Sequence, residues 1–111
     1  MDVGIHILLN LFNCNETYLK KVSFIQDVLN KAVEESALTK VGETFHQFNP
    51  CGVTGVLLLS ESHICIHTWP EFNMAAIDIF SCGDKSKAQK AADYIIKCFS
   101  PQNYDLQILY R

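Results

Sequence analysis

None of the five cysteines, Cys14, Cys51, Cys65, Cys82 and Cys98, stands in a C-x-x-C pair, and their number is odd. That pattern argues against a disulfide framework and fits reduced thiols. No basic cluster exists beyond Lys20-Lys21 and the trio Lys85, Lys87 and Lys90, and the formal net charge is −3. A nucleic-acid footprint needs many cations on one face, so no nucleic-acid partner is expected. Long apolar runs are lacking too. Val56-Leu57-Leu58-Leu59 is strand-sized and far short of a bilayer span, so no membrane partner is expected either. Met1, Asp2, Gly4 and His6 offer no basic region ahead of an apolar one. No secretory signal is therefore expected, and the cytoplasm is the expected compartment. There is no linker, repeat or low-complexity tract, no glycine-rich phosphate cradle, and nothing like a lysine site for pyridoxal.

What is present describes one globular domain over residues 1–111, with 49% apolar and 19% charged residues. A monomer of this length hides only about two-thirds of its unfolded surface, so a second copy would help to finish the core. Gly4 to Phe12 reads as a first strand. Asn15 or Thr17 can cap a helix in which Leu19, Val22, Ile25, Val28, Leu29, Ala32 and Val33 recur at helical spacing. Val41 to Phe48 reads as a strand stopped by Asn49-Pro50. Val56 to Leu59 and Ile64 to Thr68 read as a hairpin joined by residues 60–63, and Met74 to Phe80 as a further strand. Ser86 can cap a second helix, stopped at Ser100-Pro101, with Ala88, Ala91, Ala92, Ile95, Ile96 and Phe99 on its apolar face. Tyr104, Leu106, Ile108 and Tyr110 alternate with polar residues, the pattern of a half-buried final strand. The order implies α+β: a two-layer sandwich of an antiparallel sheet with two helices on one face.

The richest stretch chemically is Glu61-Ser62-His63, followed by Ile64-Cys65-Ile66-His67-Thr68-Trp69-Pro70-Glu71. His63, Cys65 and His67 would share one face of a strand. Structural zinc wants four ligands in spaced pairs and no fourth suggests itself, so no metal is assigned. Downstream lies Ser81-Cys82-Gly83-Asp84, and upstream Phe48-Asn49-Pro50-Cys51-Gly52-Val53-Thr54-Gly55. Together these segments closely resemble the S-adenosylmethionine decarboxylases, the small prokaryotic type in particular, from about Gly4 to about Leu109. The resemblance implies that the protein cuts its own Glu61–Ser62 bond. A β chain 1–61 and an α chain 62–111 result, and Ser62 becomes a pyruvoyl group, the self-generated cofactor. It also implies a homodimer whose active sites lie near the interface.

Decarboxylating an α-amino acid leaves a carbanion, and an iminium conjugated to a second carbonyl takes up the charge. To make that carbonyl, Ser62 Oγ must attack the carbonyl of Glu61. Serine is a weak nucleophile, so a tight or strained turn and nearby donors must help. The resemblance assigns His67 to processing, with the Thr54 hydroxyl beside it. Strict alternation puts positions 62 and 67 on opposite faces of a straight strand, so a bend or help across the sheet is required. The resemblance makes Cys82 the proton donor of turnover, and a thiol of ordinary acidity is mostly protonated near neutral pH. Cys14, Cys51, Cys65 and Cys98 read as small buried hydrophobes. Phe48 matches the family's adenine-stacking aromatic, and such a face also attracts a sulfonium. Glu71 matches the ribose-binding carboxylate, a role Glu61 shares once freed as a chain end, and Trp69 reads as core or interface. The implied activity converts S-adenosylmethionine to its decarboxylated form, the aminopropyl donor for spermidine. Two alternatives stand beside it: the same chemistry turned to ornithine or arginine, and an unprocessed regulatory or binding module. Intact Glu61, Ser62, His67 and Cys82 speak against the second.

Overall fold

Alternation in β1 (Ile5–Phe12) defines the two faces of the sheet: Ile5, Ile7, Leu9 and Leu11 are buried, while His6, Leu8, Asn10 and Phe12 turn to the other side. The computed structural model describes residues 3–111; Met1 and Asp2, on which part of the signal-sequence reading rests, lie outside the described residues. After β1 come α1 (Glu16–Leu19), α2 (Val22–Ser36), β2 (Lys40–Gln47), β3 (Val53–Leu59) and β4 (Ser62–Trp69). A single 3-10 turn over Pro70–Phe72 leads to β5 (Met74–Ser81), α3 (Lys85–Phe99) and β6 (Asn103–Tyr110). The strands form one sheet in the order β2-β3-β4-β5-β1-β6, antiparallel at every pairing. The buried stripes of α2 and α3 close over one face, packing Leu29, Ala32, Ala92, Ile95 and Phe99 against Ile7, Leu57, Ile64 and Ile77. The expected two-layer α+β architecture is what the chain adopts. No described helix is long and apolar enough to cross a membrane.

Several boundaries differ from the expectation, each for a local reason. The first helix is broken: Asn15 caps one turn by accepting the Thr17 N–H at 3.0 Å, and α2 starts afresh at Val22. The carbonyls that would have continued α1 are used elsewhere. Leu19 O accepts the Thr68 hydroxyl at 2.7 Å, and Lys20 O accepts the Gly52 N–H at 3.0 Å and the Gln47 amide at 2.7 Å. Asp84, not Ser86, caps α3, its carboxylate accepting the Ser86 N–H at 2.9 Å. The strand β6 is not half-buried. It lies at the sheet edge, where only Leu106 packs against the core and Tyr104, Ile108 and Tyr110 are exposed. The β3–β4 connection is shorter than residues 60–63: Leu59 pairs with Ser62, so the loop is Ser60-Glu61 alone and Ser62 already belongs to β4.

Candidate active site

The two-residue loop presses the Glu61 carbonyl onto the end of β5. Pairing of Ser62 with Ser81 places Glu61 opposite Cys82, and the Glu61 carbonyl accepts two hydrogen bonds there. The Cys82 N–H donates at 3.0 Å and the Cys82 thiol donates at 3.0 Å. Such a pair of donors is what a carbonyl needs when attack turns it into an oxyanion. The Ser62 hydroxyl lies 4.0 Å from the same sulfur. Ser62 has φ 157°, at the outer edge of extended backbone, so the tightness resides in the short loop. Gly4 makes the crowding possible: a Cβ there would stand 2.4 Å from Ser81 O and 2.9 Å from Cys82 Cα.

The side chain of Glu61 is tied down separately. Its Oε1 accepts the Thr39 N–H at 3.1 Å and the Ser60 hydroxyl at 3.1 Å, while the Ser60 N–H donates to Thr39 O at 2.9 Å. The Thr39 hydrogen bond, helped by the Ser60 hydroxyl, holds this carboxyl below its ordinary range.

At the far end of β4 lies a cavity of about 490 Å³ lined by Phe48, Cys51, Thr54, His67, Trp69 and Glu71 among others. The β2–β3 loop forms one wall, and Gly52, at φ 112°, makes its bend in a conformation that suits glycine. Thr54 faces His67 across the β3–β4 pairing, with Oγ1 and Nδ1 3.1 Å apart. The 3-10 turn after Trp69 presents the exposed Glu71 at the same mouth. Phe48, Thr54, His67 and Glu71 are thus brought together, as are Glu61, Ser62 and Cys82. The two groups are not brought to each other within one chain. Ser62 shares its side of β4 with the buried Ile64, Ile66 and Thr68, whereas His67 stands on the uncovered face. No bend at the hairpin tip carries Ser62 to His67, since β4 runs continuously from one to the other.

The family model described as S-adenosylmethionine decarboxylase matches residues 5–111. The chain belongs to the S-adenosylmethionine decarboxylase family. It is 46% identical over 109 residues to a protein of Hydrogenobaculum sp. (strain Y04AAS1) named an S-adenosylmethionine decarboxylase proenzyme, covering 98% of this chain and 81% of the relative. A protein of Archaeoglobus fulgidus with the same name is 42% identical over 111 residues, covering 100% of this chain and 99% of the relative. The crystal structure of the adenosylmethionine decarboxylase from Aquifex aeolicus matches with a TM-score of 0.96 at 44% identity, covering 99% of this chain and 91% of that one.

Within this family frame, two expectations change. Trp69 is 37% exposed and lines the cavity, so it is not core. Only Cys14 of the four remaining cysteines is fully buried; Cys51 lines the cavity, and Cys65 and Cys98 are half-buried. Burial, and secondarily Asp78, pushes the Cys65 thiol up, which keeps it protonated. His63, Cys65 and His67 do share the uncovered face, but His67 is engaged by Thr54, and His63 packs at ring distances of 6.3 Å from His6 and 6.0 Å from Phe80. Sequence reasoning missed Thr39. Its signal was the sheet register: Lys40 opposite Leu59 puts Thr39 beside Ser60.

Proposed function

We propose that this chain cuts itself ahead of Ser62 and uses the ketone so formed to decarboxylate S-adenosylmethionine. The observation that carries the reading is the Glu61 carbonyl held by both the N–H and the S–H of Cys82 at 3.0 Å, next to the Ser62 hydroxyl. A hydroxyl poised beside a carbonyl whose oxygen is already in a donor pair fits a self-made pyruvoyl group. In the reaction, Ser62 Oγ bonds to the Glu61 carbonyl carbon and the C–N bond breaks, leaving an ester and a free amine on residue 62. A base then takes the α proton of residue 62 and the Cβ–Oγ bond breaks. Glu61 departs as a carboxylate that keeps Oγ, and the dehydroalanine left behind takes up water and loses ammonia. The products are the β chain 1–61 and the α chain 62–111.

His67, with Thr54 on its Nδ1, is the assigned base. Along one straight strand it lies roughly 16 Å from Ser62 and on the other face. A second copy, its His67 brought round the Ser60-Glu61 tip of this one, supplies the imidazole, which makes the working unit a homodimer. Once formed, the ketone supplies the electron sink that decarboxylation requires. Phe48 stacks on adenine and attracts the sulfonium, Glu71 accepts from the ribose hydroxyls, and Glu61 as a new chain end shares that work. Cys82 returns a proton to the α carbon. Five free cysteines suit a reducing cytoplasm. The names of the relatives favour S-adenosylmethionine over ornithine or arginine.

Intact mass spectrometry tests the reading. Two fragments, divided after Glu61 and with the second blocked at its amino end, are expected from the purified protein. Carbon dioxide should be released from S-adenosylmethionine and not from ornithine or arginine. Ser62→Ala should give a single inactive chain; full activity in that variant would refute the assignment.

A further inference from the structure

The cut leaves a carboxylate where the Glu61 carbonyl was, and both of its oxygens originate beside Cys82. The carbonyl oxygen lies 3.0 Å from the Cys82 sulfur and the Ser62 Oγ 4.0 Å from it. A freed chain end would ordinarily drift away. This one is moored on the far side of the break, by Thr39 N–H to Glu61 Oε1 and by Ser60 N–H to Thr39 O. We infer that Thr39 and the Glu61 side chain hold the new terminal carboxylate against Cys82, where its charge keeps the sulfur in its S–H form as the acid of turnover. The inference rests on the proposed self-cleavage and adds a second product to it: the same event that makes the ketone sets the protonation of the group that serves it. Glu61 acts here as a positioning residue.

Two cations stand near the same hollow. Lys85 lines the hollow that contains Cys82, together with Gly4, Ile5, Gly83 and Tyr110, and its Nζ sits 5.0 Å from the Tyr110 ring centroid. Lys87 approaches Glu61 from α3. Only the S–H form of a thiol can donate a proton. Asp84 is turned to cap α3 through Ser86, and Arg111 lies over the Phe80 ring on the other face. No titratable side chain comes from the described part of β1 into that hollow. A carboxylate in contact with the sulfur acts on it at the shortest range, since Coulomb energy falls with distance.

The test follows the rate of Cys82 alkylation by iodoacetamide against pH, read by peptide mass spectrometry, in the cut wild type, uncut Ser62→Ala, and the cut Glu61→Gln and Glu61→Ala enzymes. Glu61→Gln keeps an acceptor for the Thr39 N–H, whereas Glu61→Ala loses the mooring but still gains the terminal carboxylate. The wild type and Glu61→Gln should react about tenfold more slowly near pH 8 than Ser62→Ala, with the midpoint moved to higher pH, and Glu61→Ala should fall between. Superimposable profiles for the cut wild type and uncut Ser62→Ala would overturn the inference and leave self-cleavage standing. An uncut wild type, seen directly by mass, would overturn both.

Discussion

Gly4 has no side chain because Ser81 O and Cys82 Cα occupy the space a Cβ would need. Gly4→Ala must push the end of β5 away, and with it the N–H and S–H that Cys82 gives to the Glu61 carbonyl. Cleavage measured by the appearance of two chains on a denaturing gel should slow by more than about tenfold, the scale of losing an oxyanion donor. Gly42→Ala is the control, since its Cβ would meet only Leu58 Cβ at 3.8 Å. The residues Ser62, Cys82, His67 and Thr54 were singled out by the motifs that carry the family resemblance. Their grouping was not. Which of them touch depends on a register that starts with the two-residue loop Ser60-Glu61 and the 3-10 turn Pro70–Phe72, and a reading that ended β4 at Thr68 and began it at Ile64 misplaced both.

Between α2 and the edge strand β2 lies a polar joint that hydrophobic periodicity does not reveal. Glu43 points to the helix side, where Gln26 and Asn30 donate to its carboxylate and Lys40 pairs with it. The Lys40 hydrogen bond, followed by those of Asn30 and Gln26, lowers the Glu43 carboxyl to about 2. A depressed folded value stabilises the protein above the unfolded value, near 4.3, and that contribution is lost as pH falls through about 2. Because the pair is partly open to water, it is worth about 1 kcal/mol rather than the full shift. Thermal melts taken between about pH 6 and pH 2 should therefore show a larger drop for the wild type than for Glu43→Gln, by about 4 °C. An equal drop would place no linked proton at Glu43. The same blindness explains the broken first helix. The apolar spacing from Leu19 to Val33 runs through the break unchanged, and only the partners of Leu19 O and Lys20 O, supplied by Thr68, Gly52 and Gln47, reveal it.

The arrangement of two layers was legible because α2, α3 and the inner strands β1, β3, β4 and β5 carry their own burial patterns, but half of the sheet's surface has no layer over it. On that uncovered face stand His67, Trp69, Leu58 and Leu109, the last two 55% and 47% exposed, with His6, His63 and Asp78 between them. His6 Nε2 is buried without a hydrogen-bond partner among the described residues, 3.9 Å from an Asp78 oxygen. A sheet face that exposes Leu58, Leu109 and Trp69 can bury them against a second copy, and an isologous pairing covers both faces at once. If the pair also carries the His67 of one copy round the hairpin tip to the Ser62 of its partner, the two defects Ser62→Ala and His67→Ala should complement each other. When the variants are unfolded together and refolded, half of the dimers are mixed, and each mixed dimer holds one site with both groups intact and one with neither. Roughly a quarter of wild-type decarboxylation should return, and only the His67→Ala chain, which still carries Ser62, should be cut. A His67→Ala chain that cuts itself equally well alone would remove His67 from processing, and a mixture in which neither chain is cut would place the base within the same copy, leaving the uncovered face to another occupant.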